Sequence, residues 1–171
     1  MPISMYQASV PALLQTLNAL SKILGKAEED AAQRKIDPAV LLGYRLAPDM
    51  FSLTRQVQVV SDFGKNTVAR LAGQEPPKYE DTEKTIGELK ARIAKTIAYV
   101  KEIKPAQIDG SEEREINLML GSQPRSFKGE SYLVNFALPN FFFHVTAAYA
   151  ILRHNGVEIG KADYMRPPGA S

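Results

Sequence analysis

Between Tyr132 and Leu152 the chain carries no Asp, Glu, Lys or Arg. About 20 apolar residues suffice to cross a bilayer, so this stretch is either a membrane span or a helix buried by its neighbours. Asn135, Pro139, Asn140 and His144 interrupt it with groups that are costly in lipid, and no second comparable segment exists. The expectation is a buried bundle member and no membrane partner.

The rest of the chain supplies helices that could bury it. From Ser4 to about Arg34, Leu13, Leu17, Leu20, Leu24 and Ala27 recur at gaps of four and three, one helical stripe that either starts near Ser9 as its N-cap or, as expected here, begins at Ser4 and bends at Pro11. "IDPAVLLGYRLAPDMF" reads as an ordered connection with room for one helical turn. A second helix is expected from Asp49 or Ser52 to Ala72, with Leu53, Val57, Val60, Val68 and Leu71 on one side and Gly73 as its stop. A third starts near Asp81 or Thr82 and ends before Pro105, presenting Ile86, Leu89, Ile93, Ile97 and Val100. "REINLMLGSQPRSF" alternates apolar and polar residues ahead of a turn, the pattern of a small hairpin. The fourth helix spans about Ser131 to Asn155, bent at Pro139 and closed by "NG". The architecture is all-α, a four-helix bundle with a β-hairpin before the last helix, forming one domain over residues 1–171.

Charge and composition exclude several functions. Twenty-one Lys and Arg lie scattered among 19 Asp and Glu, so no electrostatic footprint for nucleic acid is present. There is no cysteine, hence no disulfide, thiolate ligand or cysteine nucleophile. "MPISMYQASVPALLQ" lacks the basic start and apolar core of a secretory signal, which makes the cytoplasm the expected compartment. No nucleophile elbow, phosphate loop, HExxH run or paired-carboxylate pattern occurs, and "SEERE" at 111–115 reads as a solvated turn.

Both histidines fall in "FFFHVTAAYAILRHNG". Ten positions apart on one helix, they are separated by about 15 Å along the axis and roughly 80° around it, so they cannot share an ion. His154 follows Arg153 in the last turn, where cations face free carbonyls and the negative end of the helix dipole. His144 has Asn140 one turn before it and Ala148 one turn after, with Ala147 alongside. It is either a satisfied core histidine or the wall of a pocket, and the polarity around it decides. On the second helix Arg55, Gln56, Gln58 and Asp62 form a polar set; most read as solvated, and Gln56 is the member expected beside His144.

With these stretches in view, the chain resembles a bacterial family of unknown function within the DinB/YfiT-like superfamily of four-helix proteins. The residues that carry the likeness are "SMYQASVPALLQTLNAL", "RLAPDMFSLTRQVQ", "IDGSEEREI" and "FALPNFFFHVTAAYAILRHNGVEIGKADYM", nearly the whole chain. The resemblance implies the bundle fold and a homodimer. The wider superfamily is similar to metal-dependent thiol transferases and hydrolases that hold a divalent ion with three histidines, one on helix two and two on helix four. On this sequence the first helix-four ligand matches His144, the second falls on Ala147 or Ala148, and the helix-two ligand falls near Gln56. An imidazole and an amide are a weak donor set for zinc or nickel.

The expectation is therefore a metal-free pocket lined by His144, Asn140, Gln56, Arg55 and Ala148 that takes a small-molecule ligand. The competing expectation is an enzyme of the superfamily type, using His144 as ligand or base with Asp49 or Asp62 completing an altered zinc or nickel site. A third is an assembly role through "NALSKILGKA" of helix one or the aromatic start of helix four.

Overall fold

A computed structural model describes residues 3–165. Four long helices carry the fold. Helix α1 (Met5–Gln33) is started by Ser4, whose hydroxyl accepts the Gln7 N–H while Gln7 reaches back to the Ser4 N–H. Pro11 is accommodated inside it. The short α2 (Pro38–Gly43) leads to α3 (Leu53–Leu71), which Ser52 caps.

Helix α4 (Ile86–Glu102) begins four to five residues later than the sequence predicts. Thr85 and Glu88 form the capping box there: the Thr85 hydroxyl accepts the Glu88 N–H, and the Glu88 carboxylate accepts the Thr85 N–H. Asp81, one of the two expected starting points, is engaged in ion pairs instead, as described below.

A one-turn α5 (Pro105–Ile108), unexpected because Pro105 was read as a terminator, starts on that proline at a position where its missing N–H costs nothing. The hairpin pairs β1 (Glu115–Leu120) with β2 (Gln123–Lys128) in antiparallel register. Only Ile116 of its alternating apolar residues is fully buried. In "SEERE" the glutamates at 113 and 115 are exposed, but Ser111 is buried, so the stretch is not solvated throughout.

The fourth helical segment divides into α6 (Gly129–Tyr132), a π-helical turn at Leu133–Ala137, and α7 (Leu138–His154). Pro139 accounts for the widening. Its ring has no N–H and crowds the carbonyl four residues back, and the Leu138 N–H reaches instead to Leu133 O, five residues back. The Asn140 side chain donates to Phe136 O at 2.7 Å, satisfying a carbonyl of the widened turn. Glycines with φ of +70° and +88°, Gly73 and Gly156, close α3 and α7 with the expected left-handed caps. A last turn, α8 (Lys161–Tyr164), packs on α1. The final residues of the tail "VEIGKADYMRPPGAS", from 166 on, lie outside the described residues.

Helix α3 packs against both α7 and α4, and α1 packs against α4 and α7, so the four helices close into a ring. Leu13, Leu17, Leu20, Leu53, Val57, Leu89, Ile93, Phe141, Val145 and Ile151 fill its middle. The uncharged stretch is thus buried against protein. Among the described residues no helix is long and apolar enough to cross a membrane.

Candidate functional site

Gln56 and His144 meet between α3 and α7. The amide of Gln56, only 1% exposed, donates through Nε2 to the Phe51 carbonyl at 3.3 Å. A carbonyl can only accept, so this bond fixes the amide with Oε1 facing the imidazole. His144 Nδ1 lies 2.7 Å from that oxygen, and Nδ1 therefore carries the proton. Burial lowers the pKa of the ring, and the positive charge of Arg55 lowers it further, so at neutral pH the imidazole is uncharged. With Nδ1–H given to Gln56, Nε2 bears a lone pair, and no described residue donates to it.

Aromatic rings enclose this base. Phe51 and Phe63 lie nearly parallel to the imidazole, with ring centroids 6.1 and 6.0 Å away, and Phe143 meets it edge-on at 5.2 Å. Phe51 and Phe143 nevertheless remain 47% and 58% exposed. Phe143 also lines an apolar cleft of about 400 Å³ with Leu46, Met50, Phe142, Ala147 and Ala150. The guanidinium of Arg55 sits 5.7 Å above the Phe51 ring and is paired with Asp81.

Of the residues the sequence singles out, His144 and Gln56 are in contact, Arg55 lies one ring away, and Ala148 is fully buried. Asn140 turns its amide to its own helix rather than to the imidazole. Asp49 is exposed and Asp62 is engaged by Arg92 and Lys65 on another face of α3, so neither stands with His144. His154 lies at the end of α7 against the Tyr44 ring, well away from the site.

Two groups of residues were not legible in the sequence. The rings around His144 come from α3, from α7 and from the segment before α3. The second group is an ionic cluster: buried Arg92 on α4 reaches Asp62 of α3 and Asp81 and Glu83 of the segment before α4, each at 3.0 Å. Gln58, read as solvated, is buried beneath it and donates to Glu83 at 2.9 Å. The weak signal was an arginine and a glutamine next to the apolar stripes of α4 and α3.

The donor set can be tested against a three-ligand ion. Among the described residues no three His, Cys, Asp or Glu are grouped so as to hold one. Two ligands of a tetrahedral zinc, at 2.0–2.1 Å bonds, stand about 3.3 Å apart. Gln56 Oε1 and His144 Nδ1, at 2.7 Å, are in direct hydrogen-bond contact instead, and Ala148 offers no third donor. The residues present do not fit a three-histidine metal.

The tautomer is open to measurement. In the parent protein the side-chain ¹⁵N spectrum of His144 is expected to show a protonated Nδ1 and an unprotonated Nε2. Gln56→Leu removes the acceptor, and the signal should move toward the Nε2–H form that free imidazoles prefer. Unchanged ¹⁵N shifts in the variant would mean that Gln56 does not hold the proton in place.

The family model of a domain of unknown function, DUF1993, matches residues 5–165. A solved structure of a DinB family member from Shewanella denitrificans superposes with a TM-score of 0.87 at 40% identity, covering 97% of this chain and 94% of that one. No curated protein matches. The chain belongs to the DUF1993 family, a family of unknown function with the DinB-type helical bundle.

Proposed function

We infer that this is a cytoplasmic, homodimeric bacterial protein that binds a small molecule at His144 without a metal. The observation that carries this reading is the 2.7 Å bond between Gln56 and His144, which turns a position associated with metal ligands into a neutral hydrogen-bonding centre. The adjoining cleft of about 400 Å³ falls in the range of small-ligand sites, which combine apolar walls with a few placed polar groups. The superfamily's metal-dependent chemistry finds no support in the donor set, because Asp62 is bound to Arg92 and Lys65.

Assembly through helix one is disfavoured, since Ala19, Leu20, Ile23, Leu24 and Ala27 of "NALSKILGKA" are all buried. The start of the fourth helical segment leaves Val134 exposed, which supports that segment as the surface of the proposed dimer. A bacterial source accords with the Shewanella relative. A chain without cysteine gains nothing from an oxidising compartment, in keeping with the cytoplasm.

Elemental analysis of protein purified without a polyhistidine tag or chelator tests the central claim. Zinc and nickel are expected well below one equivalent per chain, and adding either should leave the melting temperature unchanged. A stoichiometric ion lost on His144→Ala would overturn the reading in favour of an altered metal site.

A further inference from the structure

The chemistry around His144 narrows the class of ligand, provided the small-molecule reading above holds. The only free polar valence on the imidazole is the Nε2 lone pair, since Nδ1–H is held by Gln56. A lone pair calls for a donor, and it repels carboxylates, phosphates and phenolates, which bring only lone pairs of their own. A cation finds no counter-charge here, since the imidazole offers only a lone pair and Asp81 is already paired with Arg55. A neutral donor is what remains.

The surroundings specify the body that carries the donor. Phe51 and Phe143 both border the imidazole and both leave close to half or more of their surface in water. A flat aromatic molecule would cover them in offset or edge-to-face contact. Phe143 is shared with the neighbouring cleft, which Met50, Phe142, Ala147 and Ala150 line and which His144 and Phe51 do not, so apolar surface continues from the imidazole's edge into that cleft.

We propose that the site between the segment preceding α3 and the outer face of α7 binds a neutral aromatic molecule bearing one O–H or N–H, a phenol or an azole, which donates to His144 Nε2 while its ring packs on Phe51 and Phe143. The site recognises the donor by Nε2 and the ring by the two phenylalanines.

Three probes of the same shape separate these contributions: p-cresol, toluene and 4-methylanisole, titrated into the ¹⁵N-labelled protein at neutral pH. Each donor-to-imidazole hydrogen bond is worth about 0.5–1.5 kcal/mol net, so p-cresol is expected to bind roughly two- to tenfold tighter than either of the others. It should also be the only probe that moves the His144 Nε2 signal. His144→Phe should erase the p-cresol advantage while toluene still binds, and Phe143→Ala should weaken all three probes. Should His144→Phe fail to fold, the contrast between p-cresol and 4-methylanisole on the parent protein decides the matter alone, since both carry oxygen and only one carries the donor. Equal affinity for all three probes would overturn the donor class and leave a small-molecule site standing. No binding of any probe would remove the site itself, and the function proposed above with it.

Discussion

Gly129→Ala should destabilise the protein by at least about 3 kcal/mol, at the upper end of what overpacking costs. A Cβ built on Gly129 would lie 1.9 Å from the Ser111 carbonyl oxygen and 3.0 Å from its carbon. Neither side can yield cheaply. Ser111 O already accepts the Arg114 N–H at 3.0 Å, and the Glu130 N–H is bound to Glu112 O at 3.0 Å, so two backbone segments are fastened face to face here. Relief would require separating the 111–114 turn from the start of α6 and with it the base of the hairpin. For a chain of this size the loss corresponds to a drop of roughly 6–12 °C in melting temperature. Gly25→Ala is the matched control. It lies within α1, and its nearest neighbour would be the flexible end of Lys90 at 3.9 Å, so alanine should raise stability by about 0.5–1 kcal/mol. Equal effects of the two substitutions would show that the close approach at Gly129 does not restrain the fold.

That contact also marks the boundary of what sequence reveals. The long helices were readable because each must bury one face, and burying one face leaves a period of three to four residues in the chain. The stops at Gly73 and Gly156 are readable for a related reason, since a helix end satisfies its free groups with residues close by in sequence, and the starts are readable to within a choice, Ser4 against Ser9 and Ser52 against Asp49, of which the structure takes Ser4 and Ser52. Where satisfaction came from afar, sequence failed. The sequence puts the start of α4 near Asp81 or Thr82, yet Asp81 serves Arg92 on α4 and Arg55 on α3, and the helix begins at the next good box, Thr85 with Glu88. The π turn before Pro139 was legible only as a bend, because the choice between a kink and a widened turn depends on what packs around it.

The same division runs through the candidate site. Gln56 could be placed beside His144 because it borders the apolar stripe of α3, and the two are in contact. Spacing alone puts Asn140 beside His144, but its amide donates to Phe136 O one turn back on its own helical segment. Phe51, Phe63 and Phe143 looked like ordinary core or surface aromatics, and only the fold brings them around one imidazole. The consequence is chemical: rings and burial keep His144 neutral, and a neutral imidazole with one nitrogen tied to Gln56 is an acceptor rather than a cation.

Arg92→Met is expected to remove about 3 kcal/mol of stability at neutral pH, the lower end of the range for stripping one partner from a buried ion pair. The Arg92 side chain is 2% exposed and holds Asp62, Asp81 and Glu83, as well as the Glu80 carbonyl at 2.9 Å. The lower end applies because Asp62 and Asp81 still reach water, whereas Glu83 is largely enclosed. Burial alone would raise the Glu83 carboxyl, but hydrogen bonds from Gln58 and Arg92 outweigh it and hold the group below the ordinary carboxylate range. A carboxylate depressed on folding contributes stability that is fully present above its unfolded pKa and is lost as pH falls through the folded value. The parent protein should therefore lose this contribution in acid. In Arg92→Met Glu83 keeps the Gln58 hydrogen bond but loses the one from Arg92 together with the guanidinium charge, so its protonation in acid relieves a buried charge that has lost its cation. The stability gap between the two proteins should accordingly narrow as pH falls through the carboxylate range, as read by urea unfolding at neutral pH and again in acid. Glu83→Gln placed on top of Arg92→Met should recover part of the loss at neutral pH and flatten what pH dependence remains. A gap that stays constant with pH, and that Glu83→Gln does not reduce, would mean that Arg92 stabilises the chain by packing its stem and not by holding the segment before α4 through its charge.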